Sequence, residues 1–183
     1  MHDDWLGALN VREKLSSSTL FFYGLPALPL SMLTMPLVLY VPPFYATEVG
    51  LSLSAVGAVF FLARAWDGLL DPLIGLFSDR TKGRFGRRKP WIAVGAPLLM
   101  LATWFLCQPR GEVGVGYLFF WVVFFYFAWT MVQIPHLSWG AELSRDYRER
   151  SRIVGFREGM FMVGVLFATG LPILFFAGSE PSI

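Results

Sequence analysis

Five long apolar runs organise the chain, at about 19–45, 53–77, 91–107, 114–136 and 156–177. Each is long enough to cross roughly 30 Å of hydrocarbon as a helix. The segments between them are short and polar: "ATEVGLS", "SDRTKGRFGRRKP", "QPRGEVG" and "GAELSRDYRERSRIVG". The pattern predicts an all-α membrane protein of about five transmembrane helices. Residues 1–18 form a tail ahead of the spans, 19–177 the transmembrane bundle, and 178–183 its outer end. The opening "MHDDWLGALNVREK" is polar and mixed in charge, and the first apolar run is too long for the core of a cleavable signal, so the first span is expected to be retained.

Composition supports this reading. Of the 183 residues 55% are hydrophobic and only 15% charged, with mean hydropathy +0.55; a soluble domain carries nearer a quarter charged residues. The single Cys107 lies in an apolar run, so there is no disulfide framework to read. The net charge of +2 says less than its distribution. Arg12 and Lys14 precede span 1. Arg80, Lys82, Arg84, Arg87, Arg88 and Lys89 lie between spans 2 and 3, and Arg145, Arg148, Arg150, Arg152 and Arg157 follow span 4. The loops after spans 1 and 3 hold only Arg110. By the positive-inside rule the N-terminus and both even loops are cytoplasmic, as expected of a multi-pass protein of the plasma (inner) membrane. Arg64 alone is left at membrane depth.

Span 1 is interrupted by Pro26, Pro29, Pro36, Pro42 and Pro43. Each internal proline removes a backbone hydrogen bond, a break that membranes tolerate where neighbouring helices or a wet cavity satisfy the freed carbonyls. Two readings stand: kinks that serve packing, or a broken helix that lines a solute path with Tyr23 and Ser31.

In "FLARAWDGLLDPLIGLF" of span 2, Arg64, Asp67 and Asp71 share one helix face. Charge at this depth costs a few kcal/mol per residue even on the lenient insertion scale. An ion pair of Arg64 with Asp67 that merely locks the helix is one explanation. One arginine neutralises only one of two aspartates, however, and the surplus negative charge calls for a cation or a proton. Like charges also raise one another's proton affinity. That is the chemistry of a coupling-ion site.

The following loop carries the pattern G-x-x-x-D-R-x-x-x-R-x-G-R-R as Gly75, Asp79, Arg80, Arg84, Gly86, Arg87 and Arg88. It resembles the loop between spans 2 and 3 of the major facilitator superfamily, where glycines let helices approach and the aspartate pairs as the transporter changes state. Attraction to anionic headgroups explains the basic charges but not the spaced aspartate and glycines. "RAWDGLLDPLIG", "RFGRRKPWI" and "QIPHLSWGAELSRDYRERSRIVGFRE" resemble the glycoside–pentoside–hexuronide:cation symporters, the family of melibiose permease, over roughly 23–162. The resemblance implies part of an N-terminal six-helix bundle and secondary active symport of a glycoside or other sugar-like solute.

Residue by residue, the resemblance assigns the coupling cation to Asp67, Asp71 and Thr130, with Arg64 as charge partner. An asparagine that helps hold sodium in the family is Leu70 here, which puts H⁺ ahead of Na⁺ as coupling ion. The family's sugar-binding aspartates fall at Ser31 and Gln133, and its stacking tryptophan at Leu137. Tyr23, Ser31, Trp129, Gln133 and Arg157 are therefore the candidate solute residues, with an interhelical hydrogen bond as the other role open to Gln133.

Enzymatic chemistry is not expected: both aspartates lie on one helix, and no Ser–His or Cys–His pair, Gly-x-Gly-Asp or metal cluster appears. No cofactor and no nucleic acid are expected as partners; those implied are the bilayer, a small solute and a missing C-terminal half, since five spans cannot close a two-bundle carrier. A non-transporting fragment or partner-binding module is one alternative, and a carrier of lipids or amphiphiles in the same fold another.

Overall fold

A computed structural model describes residues 14–81 and 86–176, with side chains to residue 172. Among these residues every regular element is a helix: α1 (Ser17–Gly24), α2 (Ala27–Leu39), α3 (Val41–Thr47), α4 (Leu53–Arg80), α5 (Lys89–Cys107), α6 (Val115–Leu143) and α7 (Tyr147–Phe176). Arg12, Lys82, Arg84 and the segment 178–183 lie outside the described residues. With α1 to α3 taken together as Ser17–Thr47, five helical stretches are long and apolar enough to cross a membrane. Large apolar side chains stand outward on them, Phe61 at 74% exposure and Leu166 at 70%. A water-soluble fold does not present so much apolar surface.

The prolines explain how the first stretch is divided. The chain turns at Leu25 and Pro26, where Pro26 has no N–H to offer the preceding turn. Pro36 is carried inside α2, and Pro42 sits in the first turn of α3, where a missing N–H costs nothing. α4 begins on Ser52, whose hydroxyl accepts from the N–H of Ala55 at 3.3 Å.

On the arginine-rich side the helices run past the apolar runs. α6 continues to Leu143 and α7 starts at Tyr147, so most of the polar segment 140–155 is helical. Hydropathy marks what lipid can cover, whereas backbone hydrogen bonding continues through any helix-compatible polar sequence. The short link is tied locally: the N–H of Arg148 donates to Asp146 Oδ1 at 2.7 Å, and Arg150 Nε donates to the Ser144 carbonyl at 2.8 Å. Glu149, in the first turn of α7, suits the positive end of the helix dipole and accepts twice from Arg152 Nη1, at 2.7 and 2.9 Å.

The chain divides into two compact units, one from Met1–Met32 and Gly140–Ile183, the other Leu33–Trp139. In the first, α1 packs on α7. In the second, the Tyr45 hydroxyl donates to the Leu106 carbonyl at 3.1 Å, and Phe105 stacks on Trp121 at 4.3 Å between centroids. α5 lies close against α6 at Gly95, where a side chain would come within 2.8 Å of Val132 Cγ2.

Candidate functional site

Two helices of the second unit build the candidate ion site. α4 supplies Arg64, Asp67 and Asp71, spaced so that successive members fall one turn apart. Arg64 Nη1 donates to Asp67 Oδ2 at 3.0 Å. From α6 the Thr130 hydroxyl, itself buried, donates to Asp67 Oδ1 at 2.7 Å. Asp67 is 5% exposed, with both of its oxygens engaged. Asp71 is half-buried and makes no hydrogen bond or ion pair to any described residue. The one guanidinium is therefore paired with Asp67 and not with Asp71. Leu70, buried at 7% exposure, offers no oxygen.

One neighbour is not legible in the motif. Tyr126, on α6 one turn before Thr130, places its ring 5.6 Å from the Arg64 guanidinium carbon. The spacing of four residues from Thr130 is the only sequence signal that points to it.

The candidate solute residues are distributed over both units. In the second, Trp129 is half-buried with its ring parallel to Phe125 at 6.4 Å, and Gln133 Oε1 is buried with no hydrogen-bond partner among the described residues. In the first, Tyr23 is buried with its hydroxyl against Gly140. Arg157 is 5% exposed and pairs with the adjacent Glu158. Ser31 is fully buried, donates to the Leu28 carbonyl at 2.8 Å, and lies against Gly164. That hydrogen bond stays within its own helix, three residues back.

The loop motif is held at its ends. Arg88 Nη2 donates to Asp79 Oδ1 at 3.0 Å, and Trp91 Nε1 donates to Thr81 Oγ1 at 2.9 Å. Arg80 and Arg87 are exposed, and Gly86 has φ +92°, a backbone conformation that glycine adopts without strain. Gly75 is in ordinary contact range of Ile134, with 3.6 Å for an added Cβ.

Helices long and apolar enough to cross a membrane, with a buried and a half-buried carboxylate on one helix face and a tied basic loop, describe a multi-pass membrane protein. Residues 22–182 match the family described as MFS/sugar transport protein, and the chain belongs to that family. It is similar to an uncharacterized symporter, sll1374, of Synechocystis sp., 31% identical over 91% of this chain and 32% of the relative. It is also similar to the sodium-dependent lysophosphatidylcholine symporter 1 of Gallus gallus, 25% identical over 87% of this chain and 31% of the relative. The putative glycoside/cation symporter YagG of Escherichia coli is 27% identical over 76% of this chain and 30% of the relative. The chain thus spans about a third of the length of these curated relatives, all of which are named as symporters and none as an enzyme.

Proposed function

We propose that this chain is part of a secondary active transporter that couples a cation, H⁺ ahead of Na⁺, to uptake of a glycoside or other sugar-like solute. Asp67, Asp71 and Thr130 hold the ion, and Arg64 is the charge partner of Asp67. The observation that carries this reading is the unequal state of the two carboxylates. Asp67 is satisfied by Arg64 and Thr130, while Asp71 has no partner among the described residues. An unpaired carboxylate at membrane depth is costly, and binding a proton removes the charge outright. Sodium must exchange its water for several oxygens, and Leu70 supplies none. The proposed solute contacts are Trp129 and Gln133 in one unit, and Tyr23, Ser31 and Arg157 in the other, each taken by itself. The loop from Gly75 to Arg88 is the conformational element.

The ion is tested by solute uptake into vesicles containing the full-length carrier, under an imposed pH gradient without sodium and under a sodium gradient at constant pH. Uptake driven by the pH gradient and abolished by a protonophore is expected; strict dependence on sodium at constant pH overturns the preference. Leu70→Asn adds one neutral oxygen, worth about 1 kcal/mol, so half-saturation by Na⁺ is expected to fall about fivefold. A carrier that gains no sodium response from Leu70→Asn contradicts the role given to position 70.

A second reading, transport of an amphiphile, is favoured by Leu137. It is apolar and 38% exposed where the sugar carriers that the chain resembles place a stacking tryptophan. Competition of labelled glycoside uptake by lysophospholipid, and the reverse, separates the two.

The proposed topology puts the N-terminus and the arginine-rich links in the cytoplasm of a plasma (inner) membrane protein. Tyr147, 83% exposed, and Glu48, also exposed, are convenient sites on opposite sides. Single cysteines there are expected to react with an impermeant maleimide from opposite faces, and reaction from the same face overturns the orientation.

A further inference from the structure

Two α6 side chains meet the two ends of the Arg64–Asp67 pair. Thr130 donates to Asp67 at 2.7 Å, and one turn earlier the Tyr126 ring lies 5.6 Å from the Arg64 guanidinium carbon. The partners differ in freedom. Tyr126 is 6% exposed and set edge-on to Phe125 at 6.0 Å and 88°. The Arg64 side chain is 69% exposed. An exposed arginine has many rotamers that leave its carboxylate, and a fixed aromatic face favours those that keep the cation over it. Here the rotamer over the ring is also the one whose Nη1 reaches Asp67 Oδ2 at 3.0 Å.

We propose that Tyr126 is a positioning residue of the ion site: its ring face holds the Arg64 guanidinium on Asp67, and so sets how tightly the site takes an external cation. The inference rests on the coupling-ion reading above. Arg64 occupies the oxygen that an incoming cation would use, so the two compete. The charged groups that face Asp67 from its own helix are Arg64 and Asp71. From α6 come Tyr126 and the uncharged Thr130. α3, which packs on α4, bears no charged side chain, and its Tyr45 hydroxyl is engaged with the Leu106 carbonyl. Loosening Arg64 therefore leaves Asp67 more negative and raises its affinity for H⁺ or Na⁺.

The experiment is a cation titration of solute uptake by the full-length carrier in proteoliposomes, with Na⁺ varied at fixed pH and H⁺ varied without sodium. Tyr126→Leu is expected to lower the half-saturating cation concentration about threefold to tenfold, and Tyr126→Phe to lower it less, since Phe keeps the ring face and loses only the hydroxyl, which also interacts with Arg64. Pentafluorophenylalanine at position 126 keeps the shape but removes the negative potential of the ring face, so it should reproduce the Leu effect without a packing defect. In an Arg64→Gln background Tyr126→Leu should move the value no further. An unchanged or raised half-saturation with the fluorinated ring, or a shift that persists without Arg64, overturns the role of Tyr126 while symport stands. Wild-type uptake that responds to no cation overturns both.

Discussion

Asp71→Asn in the full-length carrier is expected to abolish uphill accumulation of solute while leaving solute binding measurable. Coupling exists only if ion and solute change each other's free energy of binding. The ion's contribution runs, on the proposal above, through the one carboxylate of the pair left without a partner. The amide retains the size and an oxygen of the side chain but carries no charge to be neutralised by H⁺ or Na⁺. The accumulation ratio under an imposed ion gradient should fall to about 1, the value for uncoupled equilibration. Counterflow and exchange, which need no net ion movement, should persist. Undiminished uphill uptake would remove Asp71 from the ion site. Asp67→Asn is predicted to behave differently, since it removes the carboxylate that Arg64 pairs with and leaves Arg64 and Asp71 as the two charged groups of the face.

The second large effect is structural. Gly164 on α7 lies directly against Leu28 and Ser31 of α2, within the first unit. A Cβ there would collide with the Ser31 hydroxyl and the Leu28 carbonyl oxygen, with the Leu28 carbonyl carbon only 3.1 Å away. A flexible side-chain tip could turn aside, but a backbone carbonyl cannot move without displacing the helix. Overpacking of this kind costs typically 1–3 kcal/mol, and the backbone collision puts Gly164→Ala near or above the upper end. The expected result is a large loss of folded protein in the membrane and a lowered unfolding temperature in detergent. Gly159→Ala, five residues earlier with nothing within 4 Å of its added Cβ, should be close to neutral. Adding Ser31→Gly to Gly164→Ala should restore only part of the stability, because the Leu28 carbonyl remains. Full rescue by Ser31→Gly would mean that the hydroxyl alone limits the approach.

The Arg64–Asp67 pair is legible in the sequence, because i,i+3 spacing on a helix brings the groups together whatever surrounds them. The five long helices are legible for a related reason: a bilayer accepts backbone only with its hydrogen bonds satisfied internally, so a sufficiently long apolar run has few other structures open to it. The proline-marked divisions of the first stretch follow from missing N–H groups, which are a covalent property of the residues. Family membership was legible as well, carried by "RAWDGLLDPLIG" and the basic loop.

Helix–helix register was not legible. Thr130 and Asp67 are 63 residues apart. Without the family resemblance nothing in either segment says which turn of α6 faces Asp67, since α6 is apolar nearly all round. The same uniformity hides Tyr126 among the aromatic residues of that helix. Nor does a polar residue on a broken, apolar span reveal that Gly164 lies against Ser31, or that the Ser31 hydroxyl turns back to Leu28. Polar sequence also stays helical beyond the lipid-crossing runs, to Leu143 and from Tyr147, which hydropathy does not record. By itself the sequence determined membrane residence, helical content and the presence of two carboxylates and one arginine on one face, because local spacing and hydropathy decide those. Tertiary structure alone decided that Asp67 is satisfied and Asp71 is not, and that Arg64 lies over Tyr126. Those depend on which turn of one helix meets which turn of another, a choice made by interhelical packing that apolar surfaces of similar composition do not record.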